Sequence, residues 1–276
     1  MALDPHFAAR GAPPGSLRWH ATLYAPTVGR VRLAAAFALE AELRDTTRPD
    51  LEHGVAHAKL GWWAEEAARL RQGAPRHPIT IALDSHGEQA RQDADALDEI
   101  LAATATELAQ LALHDEAELD AYLRGAGAAC QRLAIGPAAP NAIAERFASG
   151  CGTILRLTEI IRDLRQDAWH GRVFVPWSWL ETEGVDLEQL RSAVPGPGLR
   201  RSLQRLATKA RSAWSEGRDS VDTASADPLR PLIVLAELHR ALLDRMERSN
   251  FDVGRQRVEL PPLKRLVTAW RAARHA

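Results

Sequence analysis

Apolar positions recur at helical spacing along most of the chain, and the breaks between periodic stretches are set by Gly and Pro. VGRVRLAAAFALEAELRD, from Val28 to Asp45, is rich in Ala, Leu, Glu and Arg and predicts a helix. Pro49 opens the next predicted helix, Asp50 to about Gln72, which Gly73 and Pro75 end. Further helices are predicted from Gly87 to Leu113, Glu116 to Ile135, Leu199 to Glu216, Leu229 to Asn250, and from near Pro261 onward. Residues 217–228 read as loop and Gly171–Pro176 as an extended linker. Residues 1–16, with Gly11, Pro13, Pro14 and Gly15, predict a flexible tail, leaving 17–276 as one domain. Strand-like alternation is scarce and no solenoid period is present, so the expectation is an all-α bundle.

The stretch from Phe147 to Pro176, FASGCGTILRLTEIIRDLRQDAWHGRVFVP, stands apart. On an ideal wheel at about 100° per residue, Ser149, Gly152, Arg156, Glu159, Asp163 and Asp167 share an arc of roughly 80°. Phe147, Cys151, Ile154, Leu155, Leu157, Ile160, Ile161 and Leu164 occupy most of the remainder. A surface helix has a wider polar face than this. Periodicity alone fits either a buried helix showing an acidic strip to a cavity or an amphipathic helix with a narrow solvated face.

Composition narrows the function classes. The 276 residues have a formal charge of −1, which argues against a nucleic-acid binder. Cys130 and Cys151, the chain's two cysteines, lack metal spacing and read as core filler, as do Trp62 and Trp63. No run approaches 18 apolar residues, and the first residues lack the apolar core of a signal peptide. The expectation is a cytoplasmic protein, with peripheral contact to the inner membrane left open.

The Asp-bearing segment resembles the second aspartate-rich motif of squalene and phytoene synthases, which runs roughly QLxNILRDxxxDxxxGRxYxP. Arg162-Asp163, Asp167 and Gly171-Arg172…Pro176 match it, while Arg156 replaces the family Gln and Glu159 the family Asn. Lys59, Leu60, Trp63, Glu66, Gly73, His77 and Pro78 follow the family's RLxxWxxExxxxxxG…HP phrase, His77 reading as a loop or cap residue. Tyr122-Leu123-Arg124-Gly125-Ala126-Gly127 resembles its Tyr helix before a small-residue step, and Arg257 to Pro261, Lys264 and Trp270 its C-terminal phrase.

The resemblance implies an isoprenoid-synthase-type helical bundle around a central cavity. It also implies Mg²⁺ held by two facing carboxylate motifs, and prenyl diphosphate substrates of farnesyl or geranylgeranyl type. Mg²⁺ takes one or two protein carboxylates together with phosphate oxygens, so acids one helical turn apart suit it. On that basis Asp163 and Asp167 are the metal candidates, with Arg162 and Glu42 joining them as catalytic candidates. Arg156, Glu159, Arg172, Tyr122 and Phe37 are the substrate-binding candidates.

The first motif departs from the family's AFxRxxDDxxD. After Ala36-Phe37 come Leu39 for Arg, Glu42 and Leu43 for the paired Asp, and Thr46 for the last Asp. This loss is similar to a divergent branch related to a mitochondrial complex I assembly factor, whose helix reads AFxxELxxxxD. Two readings follow: a Mg²⁺-dependent prenyltransferase, or a synthase-fold protein that binds an isoprenoid or a protein partner with weak or no condensing activity. In the second, Arg156 pairs with Glu159 or Asp163 and partly replaces the metal.

Overall fold

A computed structural model describes residues 3–109 and 112–276, and among them only helices and connections occur. The first half holds α1 (Pro5–Gly11), α2 (Leu17–Thr22), α3 (Arg30–Arg44), α4 (His53–Arg71), α5 (Pro78–Ala82), α6 (Gly87–Leu108), α7 (Glu116–Leu123) and α8 (Cys130–Ile135). The second holds α9 (Asn141–Trp169), α10 (Trp177–Thr182), α11 (Leu187–Arg191), α12 (Pro197–Asp219), α13 (Thr223–Arg248) and α14 (Pro262–Arg274). A π-helical turn, Arg124–Ala129, joins α7 to α8.

Helix α9 runs through the middle, packed against α8, α12, α13 and the π turn. Its burial follows from composition: Phe147, Cys151, Ile154, Leu157, Ile160 and Ile161 are inaccessible or nearly so. Two glycine contacts bring neighbouring backbones close. A Cβ on Gly152 would lie 2.3 Å from the Gly127 carbonyl carbon, and one on Gly150 would lie 2.3 Å from the Ala213 carbonyl oxygen. The Gly125-Ala126-Gly127 step therefore lets the π turn lie directly on α9, which sets Tyr122 beside Arg156.

Helix α3 is fixed by a buried arginine. Arg32 donates to the carbonyls of Leu133 (2.8 Å) and Leu83 (2.9 Å) and pairs with Asp93 at 2.5 Å. The Trp63-Glu66…His77-Pro78 phrase is structural too. The fully buried Glu66 carboxylate accepts from the Arg76 and His77 amides, both at 2.8 Å, and from Thr80 Oγ1 at 2.5 Å, tying α4 to the start of α5. Burial would raise the Glu66 carboxyl, but these hydrogen bonds and Arg69 hold it below its ordinary value. His77 is the N-cap of α5, accepting from the Ile79 amide at 3.2 Å.

Several expectations are corrected. Residues 5–11 are helix within the predicted tail, because Asp4 caps the first turn at 2.8 Å and Gly11 sits against the Phe37–Ala38 backbone. The predicted loop 217–228 is largely helix: α12 continues to Asp219 and α13 starts at Thr223, capped by Asp222. Pro228 and Pro231 lie inside that helix and disguise its beginning. Helix α6 stops at Leu108 rather than reaching Leu113, although 110 and 111 lie outside the described residues. Trp63 is buried, but Trp62 is 41% exposed rather than core.

Candidate functional site

The acidic strip of α9 faces inward at Glu159 and toward the rim at Asp163 and Asp167. A continuous run of ion pairs crosses from α2 and α3 to α9 and α6. Arg18 pairs with Glu40, Glu40 with Arg44 at 2.9 Å, and Arg44 with Glu159 at 2.9 Å. Arg156 then reaches Glu159 at 3.5 Å and Glu107 at 3.0 Å. Tyr122 closes the run, its hydroxyl donating to Glu107 while Arg156 Nε donates to Tyr122 at 2.8 Å. The Arg156 guanidinium also lies 5.0 Å from the Phe174 ring centre, and Tyr122 stacks on Phe174.

The network shifts its own titrations. Burial would raise the Glu159 carboxyl, but Arg44, Arg162 and Arg156 together hold it well below the usual carboxylate range. Burial pushes the Tyr122 phenol well above its ordinary value, so it stays protonated. Asp167 moves upward, burial outweighing the attraction of Arg156 and Arg172.

The two metal candidates already have cationic partners. Asp163 is gripped by its neighbour Arg162 at 2.5 and 2.9 Å and touched by Arg257 at 3.5 Å. Asp167 pairs with Arg172 at 2.8 Å, and the same guanidinium donates to the Thr47 carbonyl at 2.9 Å. Among the described residues no three His, Cys, Asp or Glu side chains gather where they could hold a metal ion. Arg162 holds both oxygens of Asp163, whereas Arg172 takes only Oδ1 of Asp167, so a Mg²⁺ ion would compete with these guanidinium groups for the two carboxylates.

Glu42 is not opposite the aspartates, as the sequence predicts. It pairs with Arg10 of α1 at 2.5 Å, with Asp45 held by the same guanidinium. Helical rotation explains this: two residues along, it lies about 200° around α3 from Glu40, the residue that faces the network. Phe37 is a core residue beneath the Arg18 guanidinium, 5.2 Å from its ring centre. Arg18, Glu40, Arg44, Glu107 and Phe174 complete the site beyond the predicted set. Glu107 carried a local signal as a single charge in the otherwise uncharged run Ile100 to Leu113, while Glu40 and Phe174 fall at the Glu of AFxxELxxxxD and the Tyr position of GRxYxP.

The hollow between α3, α6, the π turn and α9 holds only about 30 Å³ of free space, lined by Glu40, Arg44, Glu107, Cys130 and Arg156. Two larger openings lie elsewhere on the molecule, one of them sharing Ala103 with this hollow. A cleft of about 380 Å³ beside Asp163 is lined by Arg162, Arg165, Arg255 and Arg257. A groove of about 700 Å³ between α6 and α7 has Ala103, Leu113, Ala121 and Tyr122 on its wall.

Residues 18–264 match the squalene/phytoene synthase family model. The chain belongs to the squalene/phytoene synthase family. It is 30% identical to the phytoene synthase of Thermus thermophilus over 229 residues, 82% of this chain and 78% of that one. A 15-cis-phytoene synthase of Synechocystis is 23% identical over 227 residues, covering 76% and 67%. The bifunctional lycopene cyclase/phytoene synthase of Colletotrichum graminicola matches at 30% identity over 122 residues, 43% of this chain and 21% of that protein. The fold superimposes on a dehydrosqualene synthase solved with ligand at a TM-score of 0.82, with 15% identity over 98% of this chain and 95% of that one. It superimposes on the squalene synthase HpnC of Alicyclobacillus acidocaldarius at 0.73, with 21% identity over 89% and 94%. The all-helical synthase fold expected from the sequence is therefore present.

Proposed function

We propose that this family member is divergent: it binds an isoprenoid, or a protein partner, and has little or no power to condense prenyl diphosphates. The observation that carries this reading is the Arg18–Glu40–Arg44–Glu159–Arg156–Glu107 run, which spans the space between the two motif helices. The carbon chain of a prenyl substrate needs an apolar volume of several hundred Å³, against the roughly 30 Å³ free in the central hollow. Internal arginines supply the positive charge that a metal brings in the resemblance described above. The altered first motif, with Glu42, Leu43 and Thr46 in place of its aspartates and Glu40 at the Glu of AFxxELxxxxD, agrees with the branch similar to the complex I assembly factor.

An isoprenoid remains a suitable ligand at the periphery. The groove beside Tyr122 offers apolar wall, and the arginine-lined cleft at Asp163 suits a diphosphate or other anionic head. Such ligands are greasy, so a cytoplasmic location with peripheral contact to the inner membrane belongs to this reading. Among the described residues no helix is long and apolar enough to cross a membrane.

A second reading, a Mg²⁺-dependent prenyltransferase joining farnesyl- or geranylgeranyl-type diphosphates, is favoured by one observation. Arg162-Asp163, Asp167 and Arg172 keep the spacing of the second motif on a buried helix. Incubation with radiolabelled farnesyl diphosphate, Mg²⁺ and NADPH separates the two. Absence of condensed product, with an isoprenoid co-purifying by mass spectrometry, is the expected result. Product formation that disappears in Asp163→Ala overturns the first reading in favour of the second.

A further inference from the structure

Helix α14 turns its large apolar residues outward. Its small residues Ala269, Ala272 and Ala273 pack against the core, on the side of α13 and α2. Leu263, Leu266 and Trp270 are 72%, 52% and 51% exposed. With Arg274 they share an arc of about 80° on the helix wheel. The Arg274 guanidinium lies over the Trp270 ring, 4.8 Å from its centre, so a cation and an aromatic surface are presented together.

The charge on the helix itself has one sign, although Glu259, just ahead of it, pairs with Arg265 at 2.8 Å. Pro262–Arg274 carries Lys264, Arg265, Arg271 and Arg274 and no acid, in a chain whose net charge is −1. Lys264 and Arg271 lie next to the ridge, at the edge of a groove of about 500 Å³ between α14 and α13, where Arg248 joins them. These three have no ion-pair partner among the described residues. The groove's acids are engaged: Glu237 with Arg240 at 2.7 Å, and Asp244 with Arg211 at 2.8 Å.

We propose that α14 docks this protein onto a membrane surface rich in anionic phospholipid. Leu263, Leu266 and Trp270 enter the boundary between headgroups and acyl chains, and Lys264, Arg271 and Arg248 take lipid phosphates. A short helix with Leu and Trp beside a basic flank has the composition of an in-plane membrane helix. Trp is at home at that depth, and anionic headgroups attract clustered Lys and Arg. A second copy of the chain is the poorer occupant. Two-fold pairing of this face would set Lys264, Arg271 and Arg274 against their own copies.

This inference deepens the membrane-contact part of the reading above, and its test involves no prenyl diphosphate, so it stands or falls apart from the condensing assay. The full chain is floated with phosphatidylcholine vesicles, with and without phosphatidylglycerol. Binding is expected to the anionic vesicles, at least about tenfold tighter than to neutral ones, and to weaken as salt is added. Leu266→Glu/Trp270→Glu and Lys264→Glu/Arg271→Glu each lower it by about tenfold or more, with unchanged circular dichroism. Equal binding by wild type and both variants, or no binding of wild type to either vesicle, overturns the proposal. So does a wild-type dimer that Leu266→Glu/Trp270→Glu converts to monomer while vesicle binding is retained.

Discussion

Arg156 and Glu159 stand where the family pattern has Gln and Asn, and restoring those residues tests whether the two charges act as a unit. Their nearest atoms are 3.5 Å apart, and both side chains are nearly nine-tenths buried, at 12% and 11% exposure. With an effective dielectric constant near 20, two unit charges at that distance attract by about 5 kcal/mol. Desolvation offsets much of this, so a net coupling of about 1–3 kcal/mol is expected. Arg156→Gln alone leaves Glu107 and Glu159 short of a cation and should cost about 3 kcal/mol. Glu159→Asn alone leaves Arg44, Arg156 and Arg162 short of a carboxylate, with a cost of about the same size. The double variant removes one charge of each sign, so its cost should fall below the sum of the singles by the coupling energy. Urea unfolding followed by circular dichroism measures all four corners of the cycle. Additivity within about 0.5 kcal/mol refutes the network as an energetic unit.

Other consequences are open to simple measurement. His239 is buried and donates through Nδ1 to the Leu235 carbonyl at 2.9 Å; burial, with Arg162 and Arg18 adding and Glu159 opposing, lowers it from 6.5 to about 4. The unfolded chain therefore takes up this proton first as pH falls. The histidine's share of stability is whole above pH 6.5 and declines by about 3 kcal/mol by pH 4. His239→Gln should flatten that part of the pH–stability curve, and an identical pH slope in the variant contradicts the assignment. Gly152→Ala places a Cβ 2.3 Å from the Gly127 carbonyl carbon and should cost about 3 kcal/mol. Gly61→Ala, exposed on α4 with nothing within 4 Å, should instead stabilise by about 1 kcal/mol. Thermal melts that rank the two the other way count against the helix contact at Gly127.

Where local pattern decided structure, the sequence was readable. The Gly125-Ala126-Gly127 step, the His77 cap and the buried cysteines follow from residue type and spacing within a few turns, whereas spacing put the α9 acids on one strip without deciding whether it faces a cavity or solvent. Features set by distant partners were not. Helix α1 is too short to signal itself and depends on docking across Gly11. Arg44 and Glu159 are 115 residues apart, and nothing local marks Arg44 as the residue that bridges two helices. The placement of Glu42 fails for a geometric reason. Position within a motif identifies the helix, but the turn of α3 decides which carboxylate faces α9, and Glu40 holds that face while Glu42 meets Arg10.

The claim that arginines stand in for metal at these carboxylates is tested most directly by titrating Mg²⁺ into the protein in a calorimeter, with Asp163→Asn as the control. Wild type and variant should give the same heats of dilution, with no saturable binding. A saturable site in wild type that Asp163→Asn abolishes contradicts the account.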